Sequence, residues 1–517
     1  MQREGMIRRI RDRREPWDIA VIGGGATGMG VAVDAAARGF DVVLIEAHDF
    51  GKGTSSRSTK LVHGGVRYLE QGNIPLVMSA LKERGLLRQN APHLVHDLAF
   101  VVPNYSWWEA PFYGIGLKLY DLLAGKYGFG ASRLLSKEET LERLPGLEPD
   151  ELRGGVVYYD GQFDDARLLI HLAMTAADHG AALANYCPAT GLSRGEDGYV
   201  NGVTARDAET GEEFAIPARI VVNATGIFTD SIRRMAEPAA EPIMVTSQGI
   251  HLVFDRSFLR GDTALMVPKT SDGRVLFVIP WHGHAVAGTT DTPVDGPSLE
   301  PRPFEEEIEF ILDTAARYLS RPPTRADVLS VYVGLRPLVK GEGKTSTLSR
   351  DHVIHVDTSG LLTITGGKWT TYRHMAEDCV DHAITLGRLR DEPCPTKSLR
   401  IHGFMDEPDL LGELEVYGSD AAAIRELAMD PALAAQLHPD LPYLAAEIVW
   451  AARNEMARTV EDALARRTRA LFLNAGAAAA MAEPVARLLA AELGRDEAWI
   501  AAQVAEFRAL AQQYRVV

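Results

Sequence analysis

Between residues 17 and 46 the chain reads WDIAVIGGGATGMGVAVDAAARGFDVVLIE. A short apolar run (Ile19 to Ile22) meets three glycines, an alanine-rich stretch of helical spacing follows, and a second apolar run (Val42 to Ile45) closes on Glu46. This pattern predicts strand, tight turn, helix and strand. Gly23 allows the turn, Gly25 lets backbone approach a pyrophosphate, and Gly28 lets the helix pack closely on the strand. The phosphates of a dinucleotide would sit at the helix N-terminus, where N–H groups and the positive dipole end favour an anion. Glu46 then falls where a carboxylate accepts the hydroxyls of an adenosine ribose and repels a 2′-phosphate.

The pattern recurs further on without a second nucleotide fingerprint. An apolar run from Arg219 to Asn223 enters Ala224-Thr225-Gly226, and a run at Leu361, Leu362 and Ile364 enters Gly366-Gly367, after which Lys368 to Arg373, including Thr370, open a helix. Glycine-bearing turns after strands permit a second close approach of backbone to a dinucleotide. The N–H groups opening the last helix would face the isoalloxazine carbonyl end of a flavin, where negative charge develops on reduction. Between these runs, residues 241 to 291 alternate apolar and polar positions and predict strands of a mixed or antiparallel sheet roofing the flavin; His251 begins one of them. An acidic helix is expected from Phe304 to Tyr318, then a strand from Val328 to Val333 that leaves Arg336 at its end and Arg350 beyond a polar loop. After Pro395 the spacing is helical, as in Ala445 to Val460 and Ala477 to Leu493.

Composition narrows the partners. A formal net charge of −16 over 517 residues argues against nucleic acid, which needs a basic face. Cys187, Cys379 and Cys394 lie far apart with no CxxC, so neither a disulfide framework nor an iron–sulfur or zinc site is indicated, and a reducing cytoplasm fits. No run of eighteen or more apolar residues occurs, the length a bilayer span requires. The arginine-rich first fifteen residues, with no apolar core or cleavage site behind them, read either as a disordered basic tail or as an attraction to anionic lipid. Residues 97 to 130, with Trp107, Trp108 and further aromatics among Lys118 and Lys126, read either as an interfacial patch or as a buried connector.

GGGATGMG, TSSRSTKLVHGGVRYLE, YYDGQFDDARL (158 to 168), VVNATG (221 to 226), FVIPWHGHAVAGTTD (277 to 291), YVGLRPL (332 to 338) and TITGGKWTTYRHMAE (363 to 377) follow one another in the order of the FAD-dependent glycerol-3-phosphate dehydrogenase family, which the chain closely resembles from about residue 16 onward. EMARTVEDALARRTRALFLNAG fits that family's helical C-terminal region. The resemblance implies an α/β chain: a Rossmann-like FAD-binding domain of the glutathione-reductase/D-amino-acid-oxidase type, a mixed-sheet substrate domain and a C-terminal α-helical domain. The expected division is a basic tail at 1–15, an oxidoreductase region at 16–394 and a helical domain at 395–517. FAD-binding parts are expected at 16–96, 150–240 and 335–394, and substrate parts at 97–149 and 241–334. It further implies oxidation of sn-glycerol 3-phosphate to dihydroxyacetone phosphate by hydride transfer to FAD, electrons passing to membrane quinone, with a homodimer attached peripherally to the cytoplasmic membrane. Lack of clustered cysteines disfavours the related type that relays electrons through an iron–sulfur module. Two alternatives stand within the same fold, a glycerol-3-phosphate oxidase using oxygen and a glycine- or sarcosine-type amino-acid oxidoreductase. A flavin-bearing RNA-modifying or binding protein is a third, against which the acidic balance counts.

Flavin-linked alcohol oxidation requires a hydride acceptor, a proton acceptor and a clamp on the substrate. For a dianionic phosphate the clamp needs converging cations; the family pattern points to Arg67, Arg336, Arg350 and Lys368, with the phenol of Tyr68 beside them. Histidine is the natural acceptor at neutral pH, and His63 and His251 are the candidates. His63, in a glycine-rich loop, is alternatively a partner of the flavin ring. Cofactor contacts are expected from Gly23, Gly25, Gly28, Glu46, Thr54, Ser55, Ser58, Thr225, Gly226, Gly366, Gly367, Lys368 and Thr370. No metal is expected: the pairs His93/His96, His282/His284 and His352/His355 show no third ligand, and no HExxH occurs.

Overall fold

A computed structural model describes residues 1–66, 73–270, 273–341 and 351–516. Two sheets organise the chain. In the first, the strand Trp17–Ile22 pairs in parallel with Val42–Ile45 on one side and Glu213–Asn223 on the other. Leu362–Gly366 extends the parallel set beyond Glu213–Asn223, and Ala182–Ala184 extends it beyond Val42–Ile45. The strands facing both layers are almost wholly apolar, as buried parallel strands must be. The helix Ala26–Ala37 lies on this sheet beside the helix Tyr372–Gly387. Their approach depends on Gly30, where a Cβ would stand 3.0 Å from the Tyr372 ring and 3.2 Å from the Ala376 methyl.

The second sheet is mixed and carries the long antiparallel pair Met244–Asp255 and Val328–Val339. It is the sheet expected over residues 241 to 291, enlarged by Val95–Asn104 and Gly154–Phe163. One expectation is corrected here. The strand beginning at Val328 does not stop at Val333 but runs through Gly334-Leu335-Arg336-Pro337 to Val339, so Arg336 lies inside it. Gly334 faces Gly249 and Pro337 faces Thr246 across the ladder, and this long-range pairing overrides the local turn signal of Gly334 and Pro337.

The N-terminus is also corrected. Residues 1–15 are not a disordered tail: Arg3–Asp12 is a helix whose Ile7 and Ile10 are buried against the first sheet. Arg3 is buried too, donating to Asp207 Oδ1 at 2.6 Å and to the Asn185 carbonyl at 3.0 Å. The buried-connector reading of residues 97 to 130 fails in part. The helix Glu109–Ala124 buries Leu117, Tyr120 and Ala124, but its outer face exposes Phe112, Ile115, Leu119 and Leu122, and Trp107 beside it is 79% exposed.

At the C-terminal end the helices Ala475–Leu493 and Glu497–Gln512 pack on the second sheet. The helix expected over Ala445 to Val460 ends at Asn454. Its next residue, Glu455, turns inward and takes both terminal nitrogens of Arg167, at 2.8 and 2.7 Å, from the buried helix Asp165–Asp178. Nearby, Asp49 accepts from Arg466 and Arg467; burial alone would raise its pKa, but the two guanidinium groups hold it below the usual carboxylate range. Among the described residues no helix is long and apolar enough to cross a membrane.

Candidate active site

Strand direction puts the glycine turns together. Because Trp17–Ile22, Val42–Ile45, Glu213–Asn223 and Leu362–Gly366 run in parallel, their C-terminal ends deliver Gly23, Glu46, Ala224-Thr225-Gly226 and Gly366-Gly367 to one edge. Ligands bind open α/β sheets at that edge. A cavity of about 600 Å³ begins there, with Lys368 on its wall, and continues to His251 and Arg336 on the second sheet.

The glycine turn is built for a close approach. Gly23 has φ +111, and a Cβ on Gly28 would stand 1.9 Å from the Gly23 carbonyl oxygen, so the helix could not seat with any side chain there. Gly25 precedes the helix Ala26–Ala37 and lines the cavity, while the Ser55 hydroxyl accepts the Ala26 N–H at 2.9 Å. Glu46 also lines the cavity. Its two carboxylate oxygens accept from the N–H groups of Gly24 at 2.6 Å and His48 at 2.9 Å, which fixes the side chain with lone pairs to spare, while desolvation raises its pKa. Thr225, Gly226, Gly366, Gly367, Lys368 and Thr370 all line the same space. Thr370 accepts the His63 N–H at 3.3 Å. Thr54 and Ser58 lie on the wall, but their hydroxyls donate away from it, to the Leu335 carbonyl at 2.6 Å and to Asp165 at 2.7 Å. The donor set and the cramped glycine cradle fit a dinucleotide such as FAD.

At the far end, the ladder of the second sheet places Ser247 opposite Arg336, Gly249 opposite Gly334 and His251 opposite Tyr332. These six positions share one face, so the backbones of Arg336 and His251 stand two same-face steps apart, roughly 13 Å along the strands, and the Arg336 side chain reaches back over Gly249. The two glycines between them make room for other groups: a Cβ on Gly249 would lie 2.3 Å from Arg336 Nη2, and one on Gly334 would lie 2.7 Å from the Arg57 carbonyl oxygen. The Arg336 guanidinium donates to the carbonyls of Gln248 at 3.0 Å and Thr290 at 2.7 Å, to Thr289 Oγ1 at 3.2 Å and to Asp291 Oδ1 at 3.3 Å. His251 stacks on Tyr332, centroids 4.7 Å apart with 14° between planes, and its Nε2 lies 3.0 Å from Thr59 Oγ1. Burial first, then the nearby Lys60 and Arg336 charges, push the His251 pKa well below the ordinary histidine range. The ring is therefore held in its uncharged form.

Sequence reasoning missed Thr59, Thr289 and Asp291. The GTTD run at 288–291 was the available signal: a Cβ on Gly288 would lie 2.2 Å from the His251 ring. Arg67, Tyr68 and Arg350 lie outside the described residues. The six paired histidines hold structural posts. His93 Nε2 meets His171 Nδ1 at 3.1 Å, His282 meets Asp164 at 2.7 Å, and His352 meets Asp378 at 2.8 Å. His284 Nδ1 lies 2.7 Å from the His282 carbonyl, and His355 lies 3.0 Å from Asp357. His96 stands 3.9 Å from Glu415. Among the described residues no three His, Cys, Asp or Glu side chains converge as metal ligands.

Comparison with known proteins places this geometry. Residues 18–373 match the family of FAD dependent oxidoreductases, and residues 363–500 match the C-terminal domain of alpha-glycerophosphate oxidase. The probable mitochondrial glycerol-3-phosphate dehydrogenase of Caenorhabditis elegans is 43% identical across 96% of this chain and 73% of its own length. The mitochondrial glycerol-3-phosphate dehydrogenase of Homo sapiens is 41% identical with the same coverage. Among solved structures, the glycerol-3-phosphate dehydrogenase of Bacillus halodurans complexed with FAD superposes with a TM-score of 0.81 at 32% identity, covering 99% of this chain and 97% of that one.

Proposed function

Since the chain belongs to the FAD-dependent glycerol-3-phosphate dehydrogenase family, we propose that it oxidises sn-glycerol 3-phosphate to dihydroxyacetone phosphate and hands the electrons to a membrane quinone. The observation that carries this reading is that Arg336 and His251, a cation and a neutral imidazole, stand on one face of the same strand pair and line the same cavity, with Gly249 admitting the Arg336 guanidinium between them. FAD, when bound, supplies the hydride acceptor. The chain supplies the rest. Arg336, assisted by Lys368 on the same cavity, holds the phosphate, and its own acceptors fix the guanidinium beforehand, so little ordering remains to be done on binding.

His251 takes the hydroxyl proton as the carbon gives up its hydride. Its ring lines the cavity, with Nε2 beside Thr59 Oγ1 and Nδ1 without a hydrogen-bond partner among the described residues. His63, which lines the same cavity, is better suited to the flavin ring, since its backbone is tied to Thr370 in the turn that opens the last cofactor helix. The test is acceptor choice: glycerol 3-phosphate should reduce a short-chain quinone through the enzyme, whereas peroxide formation in air would favour the oxidase alternative.

A peripheral seat on a membrane completes the reading. It is supported by the unpartnered outer face of the helix Glu109–Ala124, where Ile115 is 73% and Leu122 77% exposed beside Trp107 and Trp108. Exposed apolar residues at that spacing suit the headgroup boundary. Three free cysteines support a reducing, cytoplasmic side, and kinship supports a homodimer, which sedimentation reads directly.

A further inference from the structure

Among the described residues none beyond Met375 lines the cavity, yet the C-terminal region grips its rim. The segment from Ala47 to Gly53 follows the strand Val42–Ile45 and supplies His48, Gly51, Lys52 and Gly53 to the cavity wall. It also presses on the glycine turn: the Gly51 N–H donates to the Gly24 carbonyl at 3.0 Å, and a Cβ on Gly24 would stand 2.9 Å from the Phe50 ring. Three tethers tie this segment to the helical turn Asp462–Arg467 and to Glu461 just before it. Lys52 Nζ donates to Glu461 Oε2 at 2.8 Å, and the other Glu461 oxygen accepts from Arg466 Nη1 at 2.9 Å. Arg466 and Arg467, consecutive in the chain, both donate to the buried carboxylate of Asp49, with Arg467 Nη2 at 3.0 Å from Oδ1. The third tether runs through Tyr186, whose phenol donates to Asp462 Oδ1 at 2.7 Å and whose N–H donates to the His48 carbonyl at 2.8 Å. Beside it the Cys187 N–H donates to the carbonyl of Glu46 at 2.7 Å.

A loop of seven residues that is left to itself samples many backbone states, and a ligand that needs one of them bears the cost of ordering it. Here the ordering is done beforehand by groups more than four hundred residues away in the chain. Charge-assisted bonds from guanidinium to carboxylate are directional, so they fix where the held loop lies as well as that it is held. We infer that Glu461, Arg466 and Arg467 are positioning residues for the cofactor: they hold residues 47–53 in the shape that receives FAD, and the C-terminal region serves as the clasp of the flavin site. The inference rests on the cavity being the FAD site and is independent of which substrate reduces the flavin.

The test uses the full-length holoenzyme and two variants, Glu461→Gln and Arg467→Met. Glu461→Gln keeps shape and removes the charge that faces Lys52 and Arg466, at a side chain partly open to solvent. Release of FAD after dilution is followed by the fluorescence of the free flavin, with no substrate present. It should quicken by about threefold or more in Glu461→Gln, the scale of a lost charge-assisted bond, and by at least about tenfold in Arg467→Met, where a buried pair is broken. Hydrogen exchange on the FAD-saturated proteins separates a clasp from a general loss of stability. Exchange across residues 47–53 should quicken in both variants, while the helix Ala475–Leu493, which does not line the cavity, keeps its wild-type rate. If Arg467→Met does not fold, Glu461→Gln decides. A wild-type release rate in Glu461→Gln, or faster release with unchanged exchange across 47–53, overturns the inference; so does exchange that quickens equally in the helix Ala475–Leu493. Wild-type protein that retains FAD but is not bleached by glycerol 3-phosphate overturns the proposed substrate and leaves the clasp standing.

Discussion

Arg336 and Asp291 form an ion pair at 3.3 Å inside the cavity wall, and Ser247 donates to the same Asp291 oxygen from the neighbouring strand. The cation that would meet a phosphate is therefore held from behind. Arg336→Met should lower kcat/KM for glycerol 3-phosphate by about 2–5 kcal/mol, chiefly through KM, because a desolvated charge pair is broken. Asp291→Asn keeps an acceptor but removes its charge, and about a tenfold loss is expected. Steady-state kinetics on the two variants check the order of the effects.

The glycine cradle makes a prediction that colour alone reads. Gly28→Val places atoms on the Gly23 carbonyl, 1.9 Å from where even a Cβ would lie, so helix and turn must separate. The purified variant should carry little or no flavin.

Lys60 and Asp165 share a fully buried ion pair. Removing one member leaves an uncompensated charge, and Lys60→Met should lose about 3–5 kcal/mol of stability, with part recovered in Lys60→Met/Asp165→Asn. Thermal or denaturant unfolding measures both.

The pH profile follows from His251. Its pKa lies well below the ordinary value because of burial, Lys60 and Arg336, so the protonated, inactive form accumulates only at low pH. Taking away the Lys60 cation favours the imidazolium and raises that pKa. The acid limb of kcat/KM in the double variant Lys60→Met/Asp165→Asn should move to higher pH than in the wild type. The substrate phosphate titrates as well, with a second pKa of about 6, so the shift between the two proteins is the quantity to read.

The apolar face of the helix Glu109–Ala124 is tested by vesicle flotation. Trp107→Ser/Trp108→Ser, and separately Ile115→Ser/Leu122→Ser, should reduce binding to vesicles while leaving soluble-acceptor activity in place; unchanged binding removes the membrane reading of this face.

Much of the site was legible because it depends on local chemistry. Gly23, Gly28 and Glu46 are fixed by strand, turn and helix within a thirty-residue stretch, and the turns at Ala224 to Gly226 and Gly366 to Gly367 announce themselves the same way. What escaped depends on distant partners. The Arg3–Asp12 helix is basic and looks unattached until Asn185 and Asp207 come to meet Arg3. Arg336 reads as a strand end until the ladder opposite Ser247 carries it inward. Thr59 is one hydroxyl among many in TSSRST, and nothing in that run shows that Asp165, more than a hundred residues on, clamps both of its neighbours.

The measurement that tests the central claim most directly is an anaerobic titration of the purified holoenzyme with sn-glycerol 3-phosphate, followed at the flavin absorption band. The band should bleach and return when a quinone is admitted. A band that persists at saturating glycerol 3-phosphate, and bleaches instead with an amino acid such as glycine or sarcosine, would contradict it.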